Sequence, residues 1–316
     1  MVISVEGIEA YSFYKGVAIV KQYIGNKRTA ANSSSYLRMY SYGLIDKEGN
    51  FLLPHIEDID DPQRIGWARQ FKEGLARIGR EAGAGYMNTK GEMVISCQFR
   101  NAEDFSNGLA AVRGKEKGAR WSFIDRKGKV CLSELAPETY FQPRGMFDGG
   151  LAPVRIIQPN SSGLMYIKKN GTPAFSTRGM KLKYLSNYSA GLAAVTVGID
   201  DHLGKVGFVD KDGAMAIEPM YLEAGAFHTR GGKVAWAVPW TSYGYLDAID
   251  DLVFSLLGMF EKKSKMKLGY IDRKGDWLIQ PETPFVERIR VSKDRRGSTT
   301  QTYNFSEGLA AFPSRR

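Results

Sequence analysis

The chain has 316 residues, 43% of them hydrophobic and 25% charged, with a formal net charge of +10. That composition is ordinary for a globular protein and excludes a disordered or collagen-like chain. It carries 35 glycines where an average chain of this length has about 22. The excess argues for a turn-rich β protein over a helical bundle, because glycine serves left-handed backbone and close approach.

The chain opens Met1-Val2-Ile3-Ser4-Val5-Glu6, with no basic n-region and no long apolar h-region, so no secretory signal is expected there. No apolar run reaches the ~18 residues of a membrane span, and the expected location is the cytoplasm. A first element then recurs: an aromatic, two spacers, glycine, an apolar residue and alanine. Its copies open at Phe71, Phe105, Phe147, Tyr188 and Phe305, with Gly74, Gly108, Gly150, Gly191 and Gly308 at the shared position. A weaker copy opens at Phe13, and a degraded one lies near Phe227–Trp236. The glycine is expected to let the chain turn tightly into the next strand. The aromatic is a large apolar anchor suited to the interface between successive units.

The second element is an apolar run, a polar residue, two spacers and glycine, as in Gly43-Leu44-Ile45-Asp46-Lys47-Glu48-Gly49. Its closing glycines are Gly49, Gly91, Gly128, Gly171, Gly213 and Gly275, spaced 42, 37, 43, 42 and 62 residues apart. Asp46, Asp125, Asp210 and Asp272 hold the polar position, and Asn88 and Lys168 replace them in two copies. Asp-x-x-Gly between two strands reads as a hairpin: the carboxylate bonds the backbone ahead and glycine takes the left-handed place. A third element follows, a short apolar strand often ending in proline, such as Phe51-Leu52-Leu53-Pro54 or Trp277-Leu278-Ile279-Gln280-Pro281. Each unit is therefore expected to hold three strands, and none can bury its apolar face without a neighbour.

These residues resemble the bacterial WG, or KWG, repeat: a Gly-Leu-Ala strand, then Gly-Tyr/Phe-Ile-Asp-x-x-Gly, then an apolar strand ending in proline. The resemblance extends over nearly the whole chain. It departs at the tryptophan that names the family, because Tyr42, Ala84, Val206 and Leu268 precede the glycine, and Trp121 precedes Ser122 instead. The resemblance implies an all-β repeat protein and no particular activity.

Two intervals break the period. Gly25–Ser35 is a polar loop inside the first unit, and the last interval holds about 20 extra residues. Within them Ile249, Leu252, Val253, Leu256, Leu257 and Phe260 form one helical stripe. Acids lead the stripe and lysines trail it, which matches the helix dipole. An amphipathic helix is expected inside a 241–265 insertion, with Ile249, Leu252, Val253, Leu256 and Phe260 as candidate partner-binding residues.

Motifs of chemistry are not apparent. Cys97 and Cys131 form no CxxC pattern and are expected to be small buried side chains in different repeats. His55, His202 and His228 lack ligand spacing. Loss of charge at Asn88 and Lys168 argues against a ring of metal ligands. Gly79–Gly85 is glycine-rich but leads into a strand, so a phosphate cradle lacks its helix N-terminus. Tyr166-Ile167-Lys168-Lys169 and similar runs suit a base-stacking groove, although alternation of core and water faces explains every copy.

The expected fold is all-β, with six units of ~40 residues spanning about 10–60, 68–101, 102–142, 144–182, 185–222 and 225–286. A terminal strand at 303–313 completes a single array over 1–316. Return of the opening element at that strand points to a propeller-like ring, with an open β-solenoid as the alternative. The expected function is a non-catalytic scaffold for a protein or peptide, with no cofactor. A basic polyanion or nucleic-acid binder is the first alternative, given the charge of +10. An enzyme with a site in a central channel is the second.

Overall fold

The computed structural model describes residues 8–29, 34–159, 161–177, 179–199, 204–227, 235–239, 267–284, 305–306 and 309–310. Among them the chain is all β, with no helix, and none that is long and apolar enough to cross a membrane. The expected helix at Asp247–Lys262 and the 241–265 insertion lie outside the described residues. The chain divides into two compact units, Met1–Met146 with Ile157–Pro159, and Phe147–Ile156 with Asn160–Arg316.

The first unit holds three four-stranded antiparallel sheets. They are β1 (Ile8–Ala10), β2 (Ala18–Arg28), β3 (Tyr36–Ile45) and β4 (Phe51–Leu53); then β5 (Trp67–Ala68), β6 (Leu75–Arg80), β7 (Gly83–Asn88) and β8 (Met93–Phe99); then β9 (Asn101–Ala102), β10 (Leu109–Arg113), β11 (Trp121–Asp125) and β12 (Val130–Leu132). Each is a meander with neighbours in chain order. β13 (Tyr140–Pro143) follows. In the second unit β14 (Leu151–Gln158) neighbours β15 (Ser161–Lys168). A seven-stranded sheet then runs in order through β16 (Leu182–Leu185), β17 (Ala193–Gly198), β18 (Gly204–Val209), β19 (Met215–Ala224), β20 (Ala235–Pro239), β21 (Lys267–Ile271) and β22 (Trp277–Pro284). β23 (Phe305–Ser306) and β24 (Leu309–Ala310) pair with each other.

In the three sheets of the first unit the sequence reading of three strands per repeat is corrected to four. The strand it misses is the short one before each aromatic, which in β5 and β9 is two residues long and shows no alternation. β1 fills that role in the first sheet, pairing with β2 through Ile8↔Gln22, Glu9↔Lys21 and Ala10↔Val20. That sheet therefore has its four strands within residues 8–53 and needs none from Phe305–Ala310. Cys131 is also corrected: it is exposed, and Cys97 is half-buried. Cys131 lies on the last strand of its sheet, where one face meets water.

The turn after the aromatics Phe71, Phe105, Phe147 and Tyr188 is a two-residue hairpin. Lys72 N donates to Leu75 O at 2.9 Å, and Leu75 N to Lys72 O at 3.0 Å. Between them Glu73 has φ 52° and Gly74 φ 84°. Two consecutive positive φ values make a type I′ turn, whose twist suits an antiparallel pair. Gly108, Gly150 and Gly191 have φ of 83°, 85° and 83°.

A different constraint acts at the glycine that opens the second element. A Cβ on Gly85 would lie 2.6 Å from Ile95 O and 2.8 Å from Cys97 N, so the fourth strand passes against bare backbone there. The ladder between β7 and β8 shifts register on both sides of Tyr86, as a bulge requires. Tryptophans cover other glycines: a Cβ on Gly79, Gly225 or Gly269 would overlap the ring of Trp67, Trp236 or Trp277.

In the first unit the core lies between successive sheets, and in the second it lies between neighbouring repeats. On β6, Ala76 and Ile78 join Ile19, Leu44 and Phe71, while Leu75 joins Phe105, Ala110 and Ile124 of the next repeat. β17 and the residue before it divide likewise: Ala193 and Val195 pack with Tyr166 and Tyr188, and Leu192 and Ala194 with Phe208 and Phe227. Alternate residues of one strand thus serve two neighbours, so a single repeat has no core of its own. The anchors mesh with the preceding repeat as edge-on ring pairs, Tyr86 with Phe105 at 4.8 Å and Tyr166 with Tyr188 at 4.8 Å. The Tyr86 hydroxyl donates to Glu103 O at 2.6 Å and that of Tyr166 to Ser186 O at 2.8 Å. Each carbonyl belongs to the residue two before the anchor. Burial pushes both phenols well above their ordinary pKa, so they remain donors.

Candidate binding surface

The recurring carboxylates are turn residues by geometry. Asp125 Oδ1 accepts the backbone N–H of Lys127 and of Lys129, both at 2.9 Å. Asp210 accepts those of Asp212 and Ala214, and Asp272 those of Lys274 and Asp276. Asp46 accepts from Asn50 N at 2.8 Å and from the Asn50 amide at 3.0 Å. The Asn50 amide is the main cause of its lowered pKa. Asn88 accepts from Lys90 and Glu92 in the same way. Where Lys168 stands, Asn170 takes over and accepts from Thr172 N at 3.1 Å. Among the described residues no three His, Cys, Asp or Glu side chains gather as metal ligands.

The residue after the turn carboxylate is basic in five of six copies: Lys47, Arg126, Lys169, Lys211 and Arg273, with Thr89 the sixth. Three of these heads rest on the type I′ turn of another repeat. The space beside Gly74 holds Arg126, that beside Gly149 holds Lys211, and that beside Gly191 holds Arg273. The row recurs because it braces neighbouring turns.

The fourth strands present a second recurring row. Counting three residues past the turn glycine gives Leu52, Val94, Cys131, Ala216 and Leu278 in five copies, and Ala174, partly buried against the core, in the sixth. The first five are exposed: Leu52 by 44%, Val94 by 41% and Leu278 by 57%, with Cys131 and Ala216 in the same class. The next residue turns inward, as with Ile95 at 4% and Ile217 at 3% exposed. β4, β8, β12 and β22 are each the last strand of their sheet. Scattered exposed apolar residues are ordinary; the same register in five repeats is not scatter.

The apolar strand that follows each turn glycine carries this row at every second position. The signal was present in its alternation of core and water faces. Of the candidate partner-binding residues, Ile249, Leu252, Val253, Leu256 and Phe260 lie outside the described residues, as does Gly308. Gly74, Gly108, Gly150 and Gly191 lie in the type I′ turns, and Asp46, Asp125, Asp210 and Asp272 in the hairpins between the third and fourth strands.

Among the described residues, antiparallel sheets carrying one recurring sequence pattern make an all-β protein. The WG containing repeat model matches residues 85–117, 207–238 and 269–282. No curated protein matches the sequence. Among solved structures the chain is similar to a eukaryotic initiation factor, with TM-score 0.45 and 10% identity over 82% of this chain and 62% of that one. Prolyl oligopeptidase B from Galerina marginata gives 0.39 and 10% over 71% and 37%. TolB from Acinetobacter baumannii gives 0.35 and 13% over 83% and 62%. The chain spans less than two thirds of each of these structures.

Proposed function

We propose that the chain is a non-catalytic scaffold that holds a protein or peptide partner on its repeat array. The observation that carries this reading is the outward apolar row on the fourth strands, Leu52, Val94, Cys131, Ala216 and Leu278. A sheet-edge strand offers unpaired N–H and C=O groups. A partner strand laid along β8 gains main-chain hydrogen bonds, and the outward row supplies side-chain contact. The recurring aspartates support a scaffold over an enzyme, since backbone N–H groups already occupy them. The test is binding by the triple variant Leu52→Lys, Val94→Lys, Leu278→Lys. Each position is exposed, so folding should survive, and loss of partner with an unchanged melting temperature is expected. Undiminished binding by a folded triple variant overturns the reading.

The proposal extends to the assembly. Six units of ~40 residues form a propeller-like ring, with an open β-solenoid as the alternative. Four-stranded antiparallel meanders support it. The Ile249–Phe260 stripe is proposed as a helix specific to this protein, which packs on its own body or offers a ligand to a partner groove. Leu256→Asp separates these uses: internal packing predicts a loss of roughly 2–5 kcal/mol, and partner binding predicts unchanged stability with the partner lost.

A further inference from the structure

We infer that the loop end of the second and third sheets is a binding site for the phosphate backbone of single-stranded nucleic acid. The strand ends and loops at this end carry six cations in sequence: Arg80, Arg100, Arg113, Lys115, Lys117 and Arg120. Hydrogen bonds tie three of them, Arg100, Arg113 and Lys115, to one place, while the Arg80 guanidinium donates to Gln63. Arg100 N donates to Arg113 O at 2.9 Å, and the Arg100 guanidinium donates through Nη2 to Lys115 O at 2.7 Å. Arg113 Nε donates to Ala119 O at 2.7 Å. The Lys115 ammonium donates to Ala82 O, and its chain crosses the space beside Gly83, which pairs with Arg80.

Charge balance is what separates this end from the turn row. None of the six forms an ion pair among the described residues, whose ion pairs use Lys21, Lys27, His55 and Arg77. Only Glu81 and Glu116 share the two loops, and Glu116 folds back against Gly114. Four positive charges are left over.

The kind of anion follows from the heads and their neighbours. Four of the six are arginines, whose planar fork matches phosphate oxygens two at a time. Arg100 and Arg113 each use a guanidinium N–H on a backbone carbonyl. The carbonyl fixes the head and leaves the other donors for a ligand. Two half-buried rings border the arginines: Trp121 is the cross-strand partner of Arg113, and Arg120 lies over Tyr140. Cations interleaved with rings suit a strand whose phosphates meet the first and whose bases stack on the second. An acidic peptide has no use for the rings. The site is separate from the apolar row and does not depend on the scaffold reading.

The test is fluorescence anisotropy of a labelled mixed-sequence single-stranded oligonucleotide, titrated with the full chain from about 50 to about 200 mM salt. Affinity should fall with a slope near −0.7 per phosphate contacted. Arg100→Glu with Lys115→Glu should weaken binding tenfold or more and flatten the slope by about 1.4. Because those two side chains hold backbone carbonyls, Lys117→Glu with Arg120→Glu serves as the second variant, with the same direction expected. Lys127→Glu with Lys274→Glu makes the same charge change on the turns and should alter affinity less than about threefold. Absence of binding at low salt overturns the inference, as does an equal loss in the turn control. Polyglutamate competing as well as the oligonucleotide, charge for charge, also overturns it and assigns the surface to an acidic protein.

Discussion

Glu73, Asn107 and Ala190 hold left-handed backbone at φ 52°, 53° and 53°, a conformation costing a non-glycine residue about 1–2 kcal/mol. The type I′ turn imposes it, and the glycine that follows relieves only half of the requirement. Ala190→Gly should therefore stabilise the protein by about 0.5–1 kcal/mol, the relief of strain less the entropy glycine loses on folding. Gly74→Val or Gly191→Val should cost about 1–3 kcal/mol by adding a second strained residue. Chemical denaturation of the three variants checks both signs, and a neutral Gly191→Val removes the turn from the account. The glycines of these turns were legible in the sequence because they recur at one spacing. The strained residue before them was not, because Lys, Glu, Asn and Ala share no side-chain signal; only backbone geometry unites them.

The repeat is shaped by what a strand permits on its neighbour. Gly79 lies beneath the Trp67 indole and Gly85 against the carbonyl of Ile95, so two glycines in one sheet answer to different partners. Gly79→Ala should destabilise by about 1–3 kcal/mol through overpacking. In a Trp67→Ala background the same substitution should cost much less, and a double-mutant cycle measures the coupling. Equal cost in both backgrounds places the penalty in the strand itself. Tyr86→Phe and Tyr166→Phe should each cost about 1 kcal/mol, the worth of a hydroxyl bonded to a backbone carbonyl. The three longer elements of a unit could be read from period and turn chemistry, which are local. The first strand, β5 or β9, is too short for any pattern, and its place is set by pairing with Leu75–Arg80 or Leu109–Arg113. Sequence alone also left the purpose of the glycine in Gly-Tyr-Met-Asn open, since the carbonyl that excludes a side chain comes from ten residues away.

Within each compact unit the cores lie between neighbouring repeats, so stability passes from repeat to repeat. Removing residues from 303 onward distinguishes the two proposed assemblies. A ring predicts faster hydrogen exchange in β1 and β2, because closure brings the ends together. A solenoid predicts loss confined to the strands after Gly269. The overall charge of +10 was legible, but its separation into a bracing row and an unbalanced cluster was not. That division depends on which cations meet a neighbouring turn and which meet only a carbonyl.

Function turns on the outward row, and one measurement tests it most directly. The full chain and the Leu52→Lys, Val94→Lys, Leu278→Lys variant are each immobilised and exposed to lysate of the native cell, with retained proteins compared by mass spectrometry and both chains melted in parallel. The account predicts at least one protein held by the full chain and lost from the variant, with melting temperatures alike. The same proteins on both surfaces, or none on either, would contradict it.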